Sequence, residues 1–128
     1  MKENNSQEWL KFAKIDFEIA QDLLNLKDRY AGAAAYHAQQ AAEKALKAYL
    51  MYQNEDIPKS HDLVLLVRRC AEFDLEFLLI ELMAARLSPF SVQTRYPDDM
   101  CSDLSVQEAK KLLKDSEKIL NFVIQKIQ

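Results

Sequence analysis

The sequence predicts an all-α fold, an up-and-down bundle of four long helices with a shorter extra one, and three observations carry that expectation. Among 128 residues there is one Gly and three Pro beside 49% hydrophobic residues, too little punctuation for a turn-rich β fold or a disordered chain. Apolar residues recur at three- and four-residue steps over most of the chain. Nine alanines fall between Ala31 and Ala48, the highest helix propensity in the protein. A chain of this size buries enough surface to fold as one domain, residues 1–128, without disulfides or a metal.

Ser6 is placed to cap the first helix, in which Trp9, Phe12, Ala13, Ile19, Ala20, Leu23 and Leu26 make a stripe to about Lys27. Asp16 falls inside that stripe, where a charge is costly unless paired. It must tilt to the edge or bond a cation from another helix, and the edge is the expectation. The second helix runs from Ala31 to about Gln53. Ala31, Ala35, Ala38, Ala42, Ala45 and Tyr49 form a small-residue seam for a close neighbour. His37, Gln40, Lys44 and Lys47 project as one polar stripe. That stripe reads either as a solvated face with a Glu43–Lys47 pair or as an anion- or partner-binding stripe.

Pro58 closes the next connection, and Ser60 is placed to cap a third helix with Leu63, Leu66, Val67 and Cys70 apolar. Phe73-Asp74 is a joint. Asp74 caps a further helix through Leu75, Leu78, Leu79, Leu82 and Met83 to about Leu87, so that the two could be one broken helix. Residues 88–104 hold no helical period. Ser105 and Glu108 form a capping box for the last helix, with Ala109, Leu112, Leu113, Ile119, Leu120, Val123 and Ile127 apolar.

Charge and motifs exclude several functions. Seventeen Lys+Arg against 20 Asp+Glu give a net charge of -3, no global field for holding nucleic acid. No stretch is apolar enough for a membrane span, and the start has no secretory or transit character, so a cytoplasmic protein is expected. Cys70 and Cys101 have no companion at metal-ligand spacing, nor do His37 and His61. No metal or cofactor is therefore expected. A single glycine, Gly32, rules out a Gly-rich phosphate loop.

The long irregular segment is where function is expected to concentrate. In it, Pro97 stiffens the backbone that presents Arg95 and Tyr96, and Asp98 follows. A cation beside an aromatic ring suits a phosphate plus a base, or a protein hot spot, and an Arg95–Asp98 turn clamp is the plain structural alternative.

Ala34 to Leu50, Ser60-His61-Asp62-Leu63 and Arg95-Tyr96-Pro97-Asp98 together resemble the HEPN domain, across roughly Trp9 to Ile127. The resemblance implies a commonly dimeric helical bundle that acts with a minimal nucleotidyltransferase, in some cases as a toxin-antitoxin pair, and it suggests nucleotide binding. Many such toxins share an Arg followed, after four to six intervening positions, by a His. This chain departs from that pattern. The positions that would need Arg hold Tyr30, Ala31 and Gly32 before His37, and Asn54, Glu55 and Asp56 before His61. The expectation is therefore a non-catalytic module, a homodimer with a nucleotidyltransferase-like partner, using His37, Gln40, Lys44, Lys47, His61, Arg95, Tyr96 and Asp98. The alternative is a metal-independent ribonuclease, with RNA as substrate, in which Arg95 and a histidine meet through the fold or the dimer.

Overall fold

The computed structural model describes residues 2–92 and 104–128. Helix α1 spans Lys2–Leu26, α2 Ala31–Tyr52, α3 Leu63–Ala71, α4 Glu81–Leu87 and α5 Val106–Ile127, with 3-10 helices at Asp28–Tyr30, Leu75–Ile80 and Ser88–Phe90. The protein is an all-α bundle. α2 packs against α1, α5 and α3, and α4 packs against α5 and α3.

The alanine seam explains why α2 is central. Ala31, Ala35, Ala38, Ala42, Ala45 and Tyr49 are all buried, and side chains this short let neighbouring backbones come close. Ser116 of α5 reaches α2 directly, its hydroxyl donating to the Ala38 carbonyl at 2.7 Å. At one end Phe77 fills the space between Tyr49 and Phe122, with ring centroids 4.4 and 5.0 Å away. Cys70 is buried, and loss of solvent pushes its thiol well above the ordinary range, so it packs as a small apolar side chain. Burial likewise raises the Tyr49 phenol, against the effect of its hydrogen bond with Gln53.

Three local expectations need correction. Ser6 does not cap α1: the helix begins four residues earlier, and Ser6 lies buried inside it. The buried line on α1 is Leu10, Ala13, Asp16, Ala20 and Leu24, whereas Phe12, Ile19 and Leu26 are exposed. α3 is capped by Asp62, which accepts from the amides of Val64 and Leu65; Ser60 instead accepts from the Asp62 amide. Asp is as good a cap as Ser and lies two positions nearer the helix.

The segment after the joint also differs in phase. Asp74 does cap, accepting from the Glu76 amide at 3.0 Å, and Lys126 on the same carboxylate holds it below the usual carboxylate range. The first six residues, however, form a 3-10 helix, and Phe77, Ile80, Ala84 and Leu87 turn inward while Leu75, Leu78, Leu79 and Leu82 turn out. A run as continuously apolar as Leu75–Met83 has no phase of its own, and the ring stack around Phe77 selects one. By contrast, the Ser105–Glu108 capping box is present in both directions.

Because Ala42 is fully buried in the α2 seam, Ala42→Leu should overpack it and cost about 1–3 kcal/mol. Urea unfolding measures this, and an unchanged midpoint would mean the seam is not closely packed.

Candidate functional site

Of the polar stripe on α2, Lys47 is buried, and His37, Gln40 and Lys44 are partly exposed. Asp16 of α1, 7% exposed, accepts from Lys44 Nζ at 2.5 Å and from His37 Nδ1 at 3.0 Å. The expected edge position for Asp16 is therefore wrong; the second possibility, a cation from another helix, is what the structure holds. Desolvating a carboxylate this far is tolerable only with such partners.

A second carboxylate repeats the arrangement. Glu43 accepts from Lys47 Nζ at 2.9 Å and from His61 Nδ1 at 3.0 Å. Glu43 and Lys47 are only 4% and 6% exposed, so the pair exists but does not lie on a solvated face. Gln39, fully buried, donates to Glu43 and to the His61 carbonyl, both at 3.3 Å, and accepts from Gln40 at 2.8 Å. These bonds pin the segment before α3 onto α2. Among the described residues, every buried side-chain nitrogen or oxygen has a partner.

The chemistry available follows from which atoms remain free. Both lysines direct their ammonium groups at buried carboxylates, which removes most of the field an anion-binding stripe would need. Each imidazole gives Nδ1 to a carboxylate, which can only accept, so Nδ1 carries the proton and Nε2 is left as the other nitrogen. His61 is largely exposed and His37 half-buried. His37, Gln40, Lys44, Lys47 and His61 are thus brought together. Arg95, Tyr96, Asp98 and Cys101 lie outside the described residues. No group of His, Cys, Asp and Glu among the described residues has the geometry to hold a metal ion, and no described helix is long and apolar enough to cross a membrane.

Sequence reasoning missed Gln39 and Asp115. The latter, buried on α5, takes a two-pronged bond from Arg86 of α4 at 2.8 and 2.9 Å. It also missed how much apolar surface faces outward. Phe12, Ile15, Ile19 and Leu26 are exposed on α1, and Leu75, Leu78 and Leu79 after the joint together with Leu82 in α4, Leu82 by 74%. Around the second face the charges are already paired, Arg68 with Glu81, Arg69 with Glu72, and Lys126 with Asp74 and Glu76.

The chain matches the model of the HEPN domain over residues 6–127. It is similar to the crystal structure of TT1696 from Thermus thermophilus, with 30% identity, a TM-score of 0.84, and 96% of this chain and 98% of that one covered. The fold also matches ST0689, described as an archaeal HEPN homologue, with 24% identity, a TM-score of 0.78 and the same coverage. No curated protein sequence matches.

Removing one member of the Glu43–Lys47 pair should be far worse than removing both. Glu43→Ala strands a buried ammonium and should cost about 3–5 kcal/mol, whereas Glu43→Leu with Lys47→Met should recover most of that loss. Equal losses in urea unfolding would show that the pair is not a desolvated unit.

Proposed function

The chain belongs to the HEPN domain family, and from that premise we infer that it is a cytoplasmic, non-catalytic binding module, a homodimer that works with a nucleotidyltransferase-like partner in a two-component system of toxin-antitoxin type. The observation that carries this reading is the pair of separate exposed apolar faces, on α1 and from the joint into α4. Contiguous apolar surface of this kind marks interaction sites, and two faces allow two partners. The inward lysines support a binding role over catalysis, since a cation tied to a buried carboxylate is poorly placed to stabilise a phosphorane. A nucleotide would be held by the outward edges of His37, Gln40 and His61 together with Arg95.

One observation favours the ribonuclease alternative. An exposed imidazole oriented by a buried carboxylate, as His61 is by Glu43, is the arrangement of a general base. The two readings separate in one set of measurements. The binding reading predicts a mass by light scattering of about twice 14.8 kDa, no cleavage of RNA with or without divalent metal, and formation of a complex with a co-expressed minimal nucleotidyltransferase. Arg95→Ala should weaken that complex by on the order of tenfold or more without moving the melting temperature. RNA cleavage abolished by His61→Ala or Arg95→Ala would replace the binding reading with the alternative.

A further inference from the structure

α1 carries two apolar lines, and the bundle uses one. Leu10, Ala13, Ala20 and Leu24 are buried, while Phe12, Ile15, Ile19 and Leu26 are exposed, Phe12 by 51% and Leu26 by 66%. On a helix of 3.6 residues per turn the second set falls roughly opposite the first. Its steps of three, four and seven hold it to one line, the spacing by which a helix meets another helix at a shallow angle. The occupant this seam fits is therefore a helix rather than a loop or a flat surface.

Charge identifies which helix. One flank of the seam changes sign along its length, with Lys11 toward the start of α1 and Glu18 and Asp22 toward its end. All three are exposed, and none is in an ion pair among the described residues. In a parallel two-fold pair this flank would face the partner's other flank, and these charges would not meet. An antiparallel copy, related by a two-fold axis between Ile15 and Asp16, sets Lys11 between Glu18 and Asp22 of the second copy and Phe12 against its Ile19. The same rotation carries the second copy's Leu26 to the first turns of α1. There Asn5, Glu8, Trp9 and Phe12, with Lys44 of α2, line an open cleft of about 360 Å³. Apolar register, charge and cleft thus agree on one axis, as a self-complementary interface requires.

We propose that α1 is the self-pairing surface of this protein: two copies pack α1 against α1 antiparallel, each seating Leu26 at the Asn5–Trp9 end of the other's cleft. The inference rests on the homodimer reading and deepens it, because it assigns one apolar face to the second copy and leaves the other to the unlike partner. It also makes the cleft a socket for a side chain instead of a small-molecule pocket.

The test uses the full chain. Ile15→Glu, at the axis, should weaken self-association by at least about a hundredfold in a dilution series followed by light scattering, with far-UV helicity retained. Lys11→Glu should weaken it by about tenfold. Adding Glu18→Lys and Asp22→Lys to Lys11→Glu should restore it, a recovery that misfolding cannot produce. In a Cys101→Ser background, Ile15→Cys should form an intermolecular disulfide under mild oxidation. A dimer that survives Ile15→Glu and gives no cross-link would overturn the α1 interface while leaving the homodimer intact. Absence of recovery in the triple variant would overturn the antiparallel register. A wild-type chain that is monomeric at micromolar concentration would remove both this interface and the homodimer reading.

Discussion

Alanines along α2 let its neighbours approach so closely that Glu43 and Lys47 leave water together with the apolar seam. A carboxylate buried to that degree is held only where a cation and further donors meet it, because its desolvation otherwise exceeds anything the pairing returns. Glu43 therefore takes Lys47, His61 and Gln39, and Asp16 takes Lys44 and His37. Several of these bonds also join elements: Asp16 ties α1 to α2, and His61 with Glu43 and Gln39 ties the segment before α3 to α2. The polar network and the close packing are two sides of one constraint. One charge cannot be removed from the middle of the stripe without stranding its partner in the bundle.

That constraint decides how the surface can work. The lysines that would give α2 an electropositive face are tied to buried carboxylates, and beside the partly exposed Lys44 the stripe shows imidazole and amide to solvent. The outer surface carries, at two places, apolar side chains whose neighbouring charges are paired on the second face, whereas Lys11, Glu18 and Asp22 beside the first are in no ion pair among the described residues. A face with its rim charges satisfied suits a partner that brings its own complementarity. A face with free charges of ordered sign suits a partner of fixed register. The proposed division of labour between the two faces rests on this difference.

Much of the fold was legible in the sequence because local signals agreed there. The alanine seam, the Ser105–Glu108 box and the Asp74 cap each combine a residue type with a position that admits one geometry. The site was legible only in its membership. His37, Gln40, Lys44 and Lys47 were recognisable as one stripe from their spacing, and the Glu43–Lys47 pair from its four-residue step. Their direction was not, since periodicity gives a face and not what covers it. Asp16 carried a signal, a charge inside an apolar line, but the choice between edge and ion pair depended on residues more than twenty positions away. Gln39 had no signal at all. The outward leucines after Asp74 were misread because a continuous apolar run fits several phases, and the contact of Phe77 with Tyr49 and Phe122 is a tertiary fact.

The claim on which the rest stands is that His37 and His61 are held through Nδ1 by buried carboxylates, and the tautomer of each ring reports it directly. Long-range proton–nitrogen correlation spectra of the uniformly labelled protein, recorded at a pH where both rings are neutral, distinguish a protonated Nδ1 from a protonated Nε2. Both histidines should carry the proton on Nδ1, reverting for His37 when Asp16 is changed to Ala and for His61 in the Glu43→Leu, Lys47→Met double variant, which leaves Nδ1 no side-chain acceptor at position 43, provided far-UV helicity is retained. Two rings protonated on Nε2 in the wild-type protein, the form an unconstrained imidazole prefers in water, would contradict it.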